Sequence, residues 1–311
     1  MPTASPLAIV RHMKGLLYAI LAVAILRAGT GVCRAQESAG SSSPAIKLVL
    51  IDSKTETLIG PMPWPRNRHA EMIGLLSRAG ARAVVLRMYF RDRGDATADA
   101  TLIREVAVSG RVYVEMSKAS EPEPRPFDEK WLSRMSLAAE GKPPRKTISM
   151  KYAQLPFIEL AAAVRGIGSV DIILDRDGTL KGLPLLVKYG KRVFPSLALR
   201  VFIDVKGEAV RPVVLEKREY LRLGPRRLPV DGYGCSPITL KSAGAYPSYS
   251  FVDVLKGRIK PQVFKDAVVI ISPAGPEMNV STAAGARNAA ELVAAQLSSL
   301  FEAFDRSQAA P

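Results

Sequence analysis

The chain alternates between two kinds of segment. Short, mostly apolar runs at Ile46–Ile51 (IKLVLI), Ala83–Met88 (AVVLRM), Val112–Met116 (VYVEM) and Ala267–Ile271 (AVVII) are separated by segments with helical spacing. Runs this short and this apolar read as strands buried on both faces. Between the first two, Met72, Leu75, Leu76 and Ala79 share one helix face, and Gly80 ends it. Thr97–Ser109 and Leu155–Arg165 also read as helices. Pro195 opens another, with Ala198, Val201, Phe202 and Val205 on one face and Gly207 at its end. Val293, Leu297, Leu300 and Phe304 stripe the last helix. Strands alternating with helices predict an α/β fold: a three-layer sandwich with one mixed, mostly parallel sheet and β-hairpin insertions, spanning residues 46–304.

Three segments depart from the alternation. Residues 118–146 hold five prolines and many charges, and read as a surface insertion with a short helix around Trp131–Ala139. Val170–Leu174 and Leu180–Tyr189 read as strands joined by Asp175-Arg176-Asp177-Gly178, and Val210–Leu240 is strand-and-turn material. Ser250-Phe251-Val252-Asp253 begins a short helix, with Ser250 and Asp253 as a capping box.

The first 35 residues carry Arg11, Lys14, Arg27 and Arg34 but no acid, around an apolar stretch from Gly15 to Leu26. That stretch is too short for a membrane span, which needs about 20 residues, and fits a signal-peptide core. Cleavage is expected after Ala35, giving an exported, periplasmic or extracytoplasmic protein. An uncleaved membrane anchor is the alternative. Cys33 as a lipid attachment point fits less well, because Val32 precedes it. Translation starts at Met1 or at Met13. Residues 36–45 form a Ser/Gly-rich linker and residues 305–311 a polar tail.

Composition bears on chemistry mainly by exclusion. Two histidines and two cysteines leave no polyhistidine metal site, zinc ribbon, iron–sulfur cluster or disulfide framework. Once the leader is gone Cys235 is the remaining cysteine, read as a buried small apolar residue. The net charge of +15 falls to +11 with the four basic leader residues, so attraction to an anionic lipid or wall polymer is open. Nucleic acid is not expected of an exported chain without an aromatic-interleaved basic motif.

One segment looks catalytic. Ile172-Ile173-Leu174-Asp175-Arg176-Asp177-Gly178-Thr179 resembles the first motif of haloacid-dehalogenase-type phosphatases. There the first Asp attacks phosphorus, the second is the general acid, and magnesium sits between them. The downstream Gly-Asp or Asp-Asp pair such a metal site needs is missing, and Asp-Gly between apolar runs is a hairpin signal, which is the preferred reading. His69 reads as a helix-surface residue near the Pro-Trp-Pro turn, and Gly224-Pro225-Arg226-Arg227 as a solvated turn.

Several segments, in order, carry a resemblance to a family. They are Pro63-Trp64-Pro65-Arg66-Asn67-Arg68-His69-Ala70 with Ala79-Gly80-Ala81-Arg82-Ala83, then Asp175-Arg176-Asp177-Gly178 with Leu183-Pro184-Leu185, then Phe194-Pro195-Ser196-Leu197-Ala198-Leu199. Tyr249 to Gly257 and Pro261 to Ile271 follow. The chain resembles the type-2 CHASE domain, the extracellular sensory module of bacterial kinases and cyclases. The resemblance implies a sensor without catalysis or cofactor, working through an envelope or membrane signalling partner. It departs from the family at Arg87, where the second strand usually carries an acid. It departs again at Ser272 to Asn279, where a Gly-x-Thr-Ala-x-Gly-x-x-Asp pattern is usual. Strand ends and the helix start after the Pro-Trp-Pro turn give Asp52, Arg66, Arg87 and Ser272 as candidate ligand-binding residues, for an unknown small ligand. A metal-dependent phosphatase using Asp175 and Asp177, or a degenerate structural envelope protein, are the alternatives.

Overall fold

A computed structural model describes residues 43–122 and 127–306. The leader, residues 36–42 of the linker and residues 307–311 of the tail lie outside the described residues.

The strands run β1 (Ile46–Ile51), β2 (Ala83–Leu86), β3 (Val112–Ala119), β4 (Tyr152–Gln154), β5 (Gly166–Ser169), β6 (Ser248–Ser250) and β7 (Val268–Pro273). They form one sheet in the order β6-β1-β7-β2-β3, and β3 then pairs with both β5 and β4. Every pairing is parallel except β3 with β4. The sheet is therefore mixed and mostly parallel.

The helices are α1 (Ser53–Ile59), α2 (Asn67–Arg78), α3 (Ala96–Ser109), α4 (Glu129–Met135), α5 (Ile158–Ala163), α6 (Leu197–Lys206), α7 (Phe251–Leu255) and α8 (Ala289–Arg306). Strand side chains alternate between faces, so β1, β2, β3 and β7 each feed two cores. Val49, Ile51, Val84, Leu86, Val114, Val269 and Ile271 join one core with Met72, Ile73 and Leu76 of α2, Leu102 and Val106 of α3, and Leu160 of α5. Leu48, Val85, Tyr113, Val268 and Ile270 join the other with Leu199 and Phe202 of α6 and Leu297, Leu300 and Phe301 of α8. Each fully buried side chain of this size contributes roughly 1.5–3 kcal/mol. This is the expected three-layer arrangement. Beside it lie small sheets, including a four-stranded one built on the 213–229 meander, and the hairpin of Ile173–Leu174 with Leu180–Gly182.

Local chemistry moves several boundaries. Leu155 precedes Pro156, which disfavours helix there, so α5 starts only at Ile158 and the chain before it pairs as β4. Pro195 ends a strand, and α6 opens two residues later at Leu197 with Ser196 as cap, its Oγ accepting from Leu199 N at 3.1 Å. The 118–146 segment is more than a surface excursion. Met135 and Leu137 are buried in the two cores, and Trp131 stacks on Phe127 at 4.1 Å while donating to the Ala161 carbonyl. Gly168 fixes the closest approach between layers: a Cβ there would lie 2.4 Å from Leu197 Cα. Among the described residues no helix is long and apolar enough to cross a membrane.

Candidate functional site

The carboxyl ends of β2 and β7 and the start of α2 enclose a cavity of about 330 Å³. Its lining combines Trp64, Tyr89, Phe90, Met62, Met88 and Met278 with Arg66, His69, Arg87 and Glu115. The Pro61–Pro65 turn brings Trp64 here, with its indole Nε1 donating to the Gly60 carbonyl at 2.8 Å. Tyr89 stands at the surface, 49% exposed, with its hydroxyl on Ser117 Oγ at 3.2 Å.

Arg87 follows β2 directly. The parallel register pairs Leu86 with Val114, so the next residues, Arg87 and Glu115, stand side by side. Arg87 Nη1 donates to Glu115 Oε2. Glu115 is only 3% exposed. Burial pushes its pKa up to about 7, and the Arg87 guanidinium pulls the other way without cancelling the rise. Arg87 Nε and Glu115 Oε1 are buried without a partner.

Arg66 sits at the head of α2, where Nη1 donates to Asp99 at 2.5 Å and Nη2 to the Asp92 carbonyl. Its guanidinium lies over the Phe157 ring at 4.8 Å.

His69 is not on the helix surface as expected. It is 5% exposed, packed on Trp64, Phe90 and Phe251, and its Nδ1 has no partner. Burial, with Arg66 adding to it, drives its pKa down to about 4, so it is neutral at ordinary pH.

Of the four candidate residues, the structure brings Arg66 and Arg87 into one cavity and leaves the other two outside its lining. Asp52 caps α1 and accepts from Thr55 N at 2.9 Å, Thr55 Oγ1 at 2.6 Å and Ser250 Oγ at 2.8 Å. Partial burial works to raise its pKa, but these hydrogen bonds outweigh it and hold the carboxyl below its usual value. Ser272 is fully buried in β7 and donates to the Pro273 carbonyl at 3.0 Å. Ser250 is thus taken up by Asp52 and makes no capping bond, while Asp253 pairs with Lys54 at 2.5 Å and Arg258 at 2.9 Å. The expected capping box is a tie between β1, α1 and α7 instead.

Asp175 and Asp177 lie on an exposed hairpin turn. Gly178 N donates to Asp175 O at 3.1 Å, Asp177 accepts from Thr179 N at 3.0 Å, and Asp175 pairs with Lys181 at 2.9 Å. Gly178 has φ +81°, the conformation such a turn requires. Among the described residues no cluster of His, Cys, Asp and Glu is placed to hold a metal ion. Cys235 is half-buried rather than fully buried, and its thiol pKa is pushed up to about 12 by burial and then by Asp231.

Sequence reasoning missed Glu115, His69 and the methionines. Glu115 left a signal: it is the one charge inside the VYVEM run, and a charge within a buried strand needs a partner. The methionines left none, since Met62, Met88 and Met278 are far apart in sequence.

No curated protein and no solved structure matches the chain. The CHASE2 domain family matches residues 19–311, which takes in both cores, the cavity and the hairpin. The ordered motifs, the parallel sheet and this match agree, and the chain belongs to the CHASE2 domain family of extracellular sensory domains.

Proposed function

We propose that this chain is an exported sensory domain that binds a small molecule in the cavity at the carboxyl ends of β2 and β7, without catalysis. The observation that carries the reading is the cavity itself. It has the volume of a small-molecule site, an aromatic and thioether wall, and a few polar groups gathered at one place. Arg66 and Arg87 are the candidate residues it supports, with His69 and Glu115 added. The leader supports export, and the positive charge favours residence near an anionic surface. An extracellular sensory domain acts through a signalling element at the membrane, and an envelope or membrane signalling protein is the proposed partner.

The test uses Trp64, one of two tryptophans. In a Trp131→Phe background its fluorescence reports the cavity. Titration with a panel of one- and two-ring acids, amides and amines should give a saturable change for at least one compound. A panel that leaves the signal unchanged throughout would overturn the reading. Intact mass of the exported form should begin at Gln36, and retention of residues 15–26 would make the leader an anchor.

A further inference from the structure

We propose that the cavity's ligand is a small monocarboxylate with an apolar body, gripped by Arg87 beside Glu115, which takes up a proton as the ligand binds. The proposal rests on the sensory reading and names the class of ligand.

Buried polar side-chain atoms without a partner are few in folded proteins. The described residues have eight, and three of them, His69 Nδ1, Arg87 Nε and Glu115 Oε1, belong to residues lining this one cavity. That concentration leaves hydrogen-bonding capacity unspent in the wall of the cavity, within reach after a small side-chain shift. Arg66 is not part of it, because Asp99 and the Asp92 carbonyl already answer its guanidinium. Arg87 spends Nη1 on Glu115 and keeps Nε idle. The edge that Nε shares with Nη2 is the one that takes a carboxylate through two parallel bonds.

The body of the ligand follows from the wall. Seven methionines fall among the described residues. Four are buried at 3% exposure or less, and the three that are not, Met62, Met88 and Met278, all line this cavity. Thioethers beside Trp64 and Phe90 make an adaptable, polarizable wall suited to an aromatic ring or a branched chain.

Two carboxylates on one guanidinium, one of them almost wholly out of water, repel each other, and one takes a proton. Glu115 is the one that yields, since burial has already brought it to about 7. The charged and titratable groups lining the cavity with it are Arg87 just after β2, and Arg66 and His69 at the start of α2; Asp99 of α3 pairs with Arg66, and Asp171 after β5 lines a smaller cavity with Arg87. His69 is neutral throughout this range and Arg66 is paired, so neither competes for the proton. Ligand binding is then coupled to proton uptake by Glu115.

Calorimetry on the purified protein with phenylacetate, phenylacetamide and phenethylamine tests this. Phenylacetate should bind at least about tenfold tighter than phenylacetamide, and phenethylamine should not bind. Above pH 7 its affinity should fall about tenfold per pH unit, with close to one proton taken up per site at pH 8. Glu115→Gln, a neutral isostere, should bind phenylacetate more tightly at pH 8 and lose the pH dependence. Arg87→Gln should lose the preference for the acid. Equal affinity for acid and amide, or a pH dependence unchanged in Glu115→Gln, would overturn the proposal. Binding of the amide or amine alone would sink the carboxylate and leave the sensory reading standing. If none of the three binds, the proposal falls and the Trp64 titration decides the reading separately.

Discussion

Arg87 donates from Nη1 to Oε2 of Glu115 across two neighbouring parallel strands, in a place where the carboxylate is almost wholly out of water. The pair cancels charge but not hydrogen-bonding capacity, because Arg87 Nε and Glu115 Oε1 stay unpartnered. The base stands just after the second strand, and the acid comes from the third strand beside it.

The pair makes a stability prediction. Arg87→Met alone strands a buried carboxylate and should cost about 3–5 kcal/mol, measured by urea unfolding at pH 8. Arg87→Met combined with Glu115→Leu removes both charges and should recover most of that loss. A single variant as stable as the parent would show that the carboxylate does not depend on Arg87.

A second prediction concerns pH. Folded Glu115 titrates near 7 against 4.5 when unfolded, so its contribution falls as pH rises from about 4.5 to 7. Folded His69 titrates near 4 against 6.5, so its contribution is lost as pH falls from 6.5 to 4. Between about 4.5 and 6.5 the two slopes oppose, each near 1.4 kcal/mol per pH unit. Relative to the parent, Glu115→Gln should gain stability more steeply with rising pH, and His69→Gln should lose it. Denaturation at three pH values across this window checks both signs, and parallel curves for the parent and both variants would refute the assignment.

The third prediction separates two glycines. Gly168→Ala would drive a Cβ to 2.4 Å from the backbone of α6, which cannot turn aside, and should cost about 3 kcal/mol or more. Gly178→Ala meets nothing within 4 Å and loses only the ease of a positive φ, about 1–2 kcal/mol. Thermal unfolding should rank them in that order.

The fourth concerns the hairpin. Asp175 and Asp177 are exposed and bonded within their own turn. Magnesium-dependent hydrolysis of a phosphate monoester should stay at background in the parent and in Asp175→Asn. A parent activity that vanishes in the variant would reinstate the phosphatase.

Local residue order specifies the layered α/β fold, because runs such as IKLVLI and AVVII have the length and uniformity of strands covered on both sides, and the helices between them carry single apolar faces. It also determined the Asp175–Gly178 turn, whose geometry is local. It named Arg66 and Arg87 because strand ends and helix starts are legible from periodicity. What it did not hold was the neighbour of each. Ser250 and Asp253 have the spacing of a capping box, yet Asp52, nearly two hundred residues earlier, claims the serine because β6 lies beside β1. His69 looks like a surface residue until Trp64, Phe90 and Phe251 close over it from three segments. Glu115 becomes the partner of Arg87 only once β2 and β3 are in register. Helix and strand are set by spacing within a few residues, whereas burial, pKa and charge pairing depend on which distant segments the sheet order brings together.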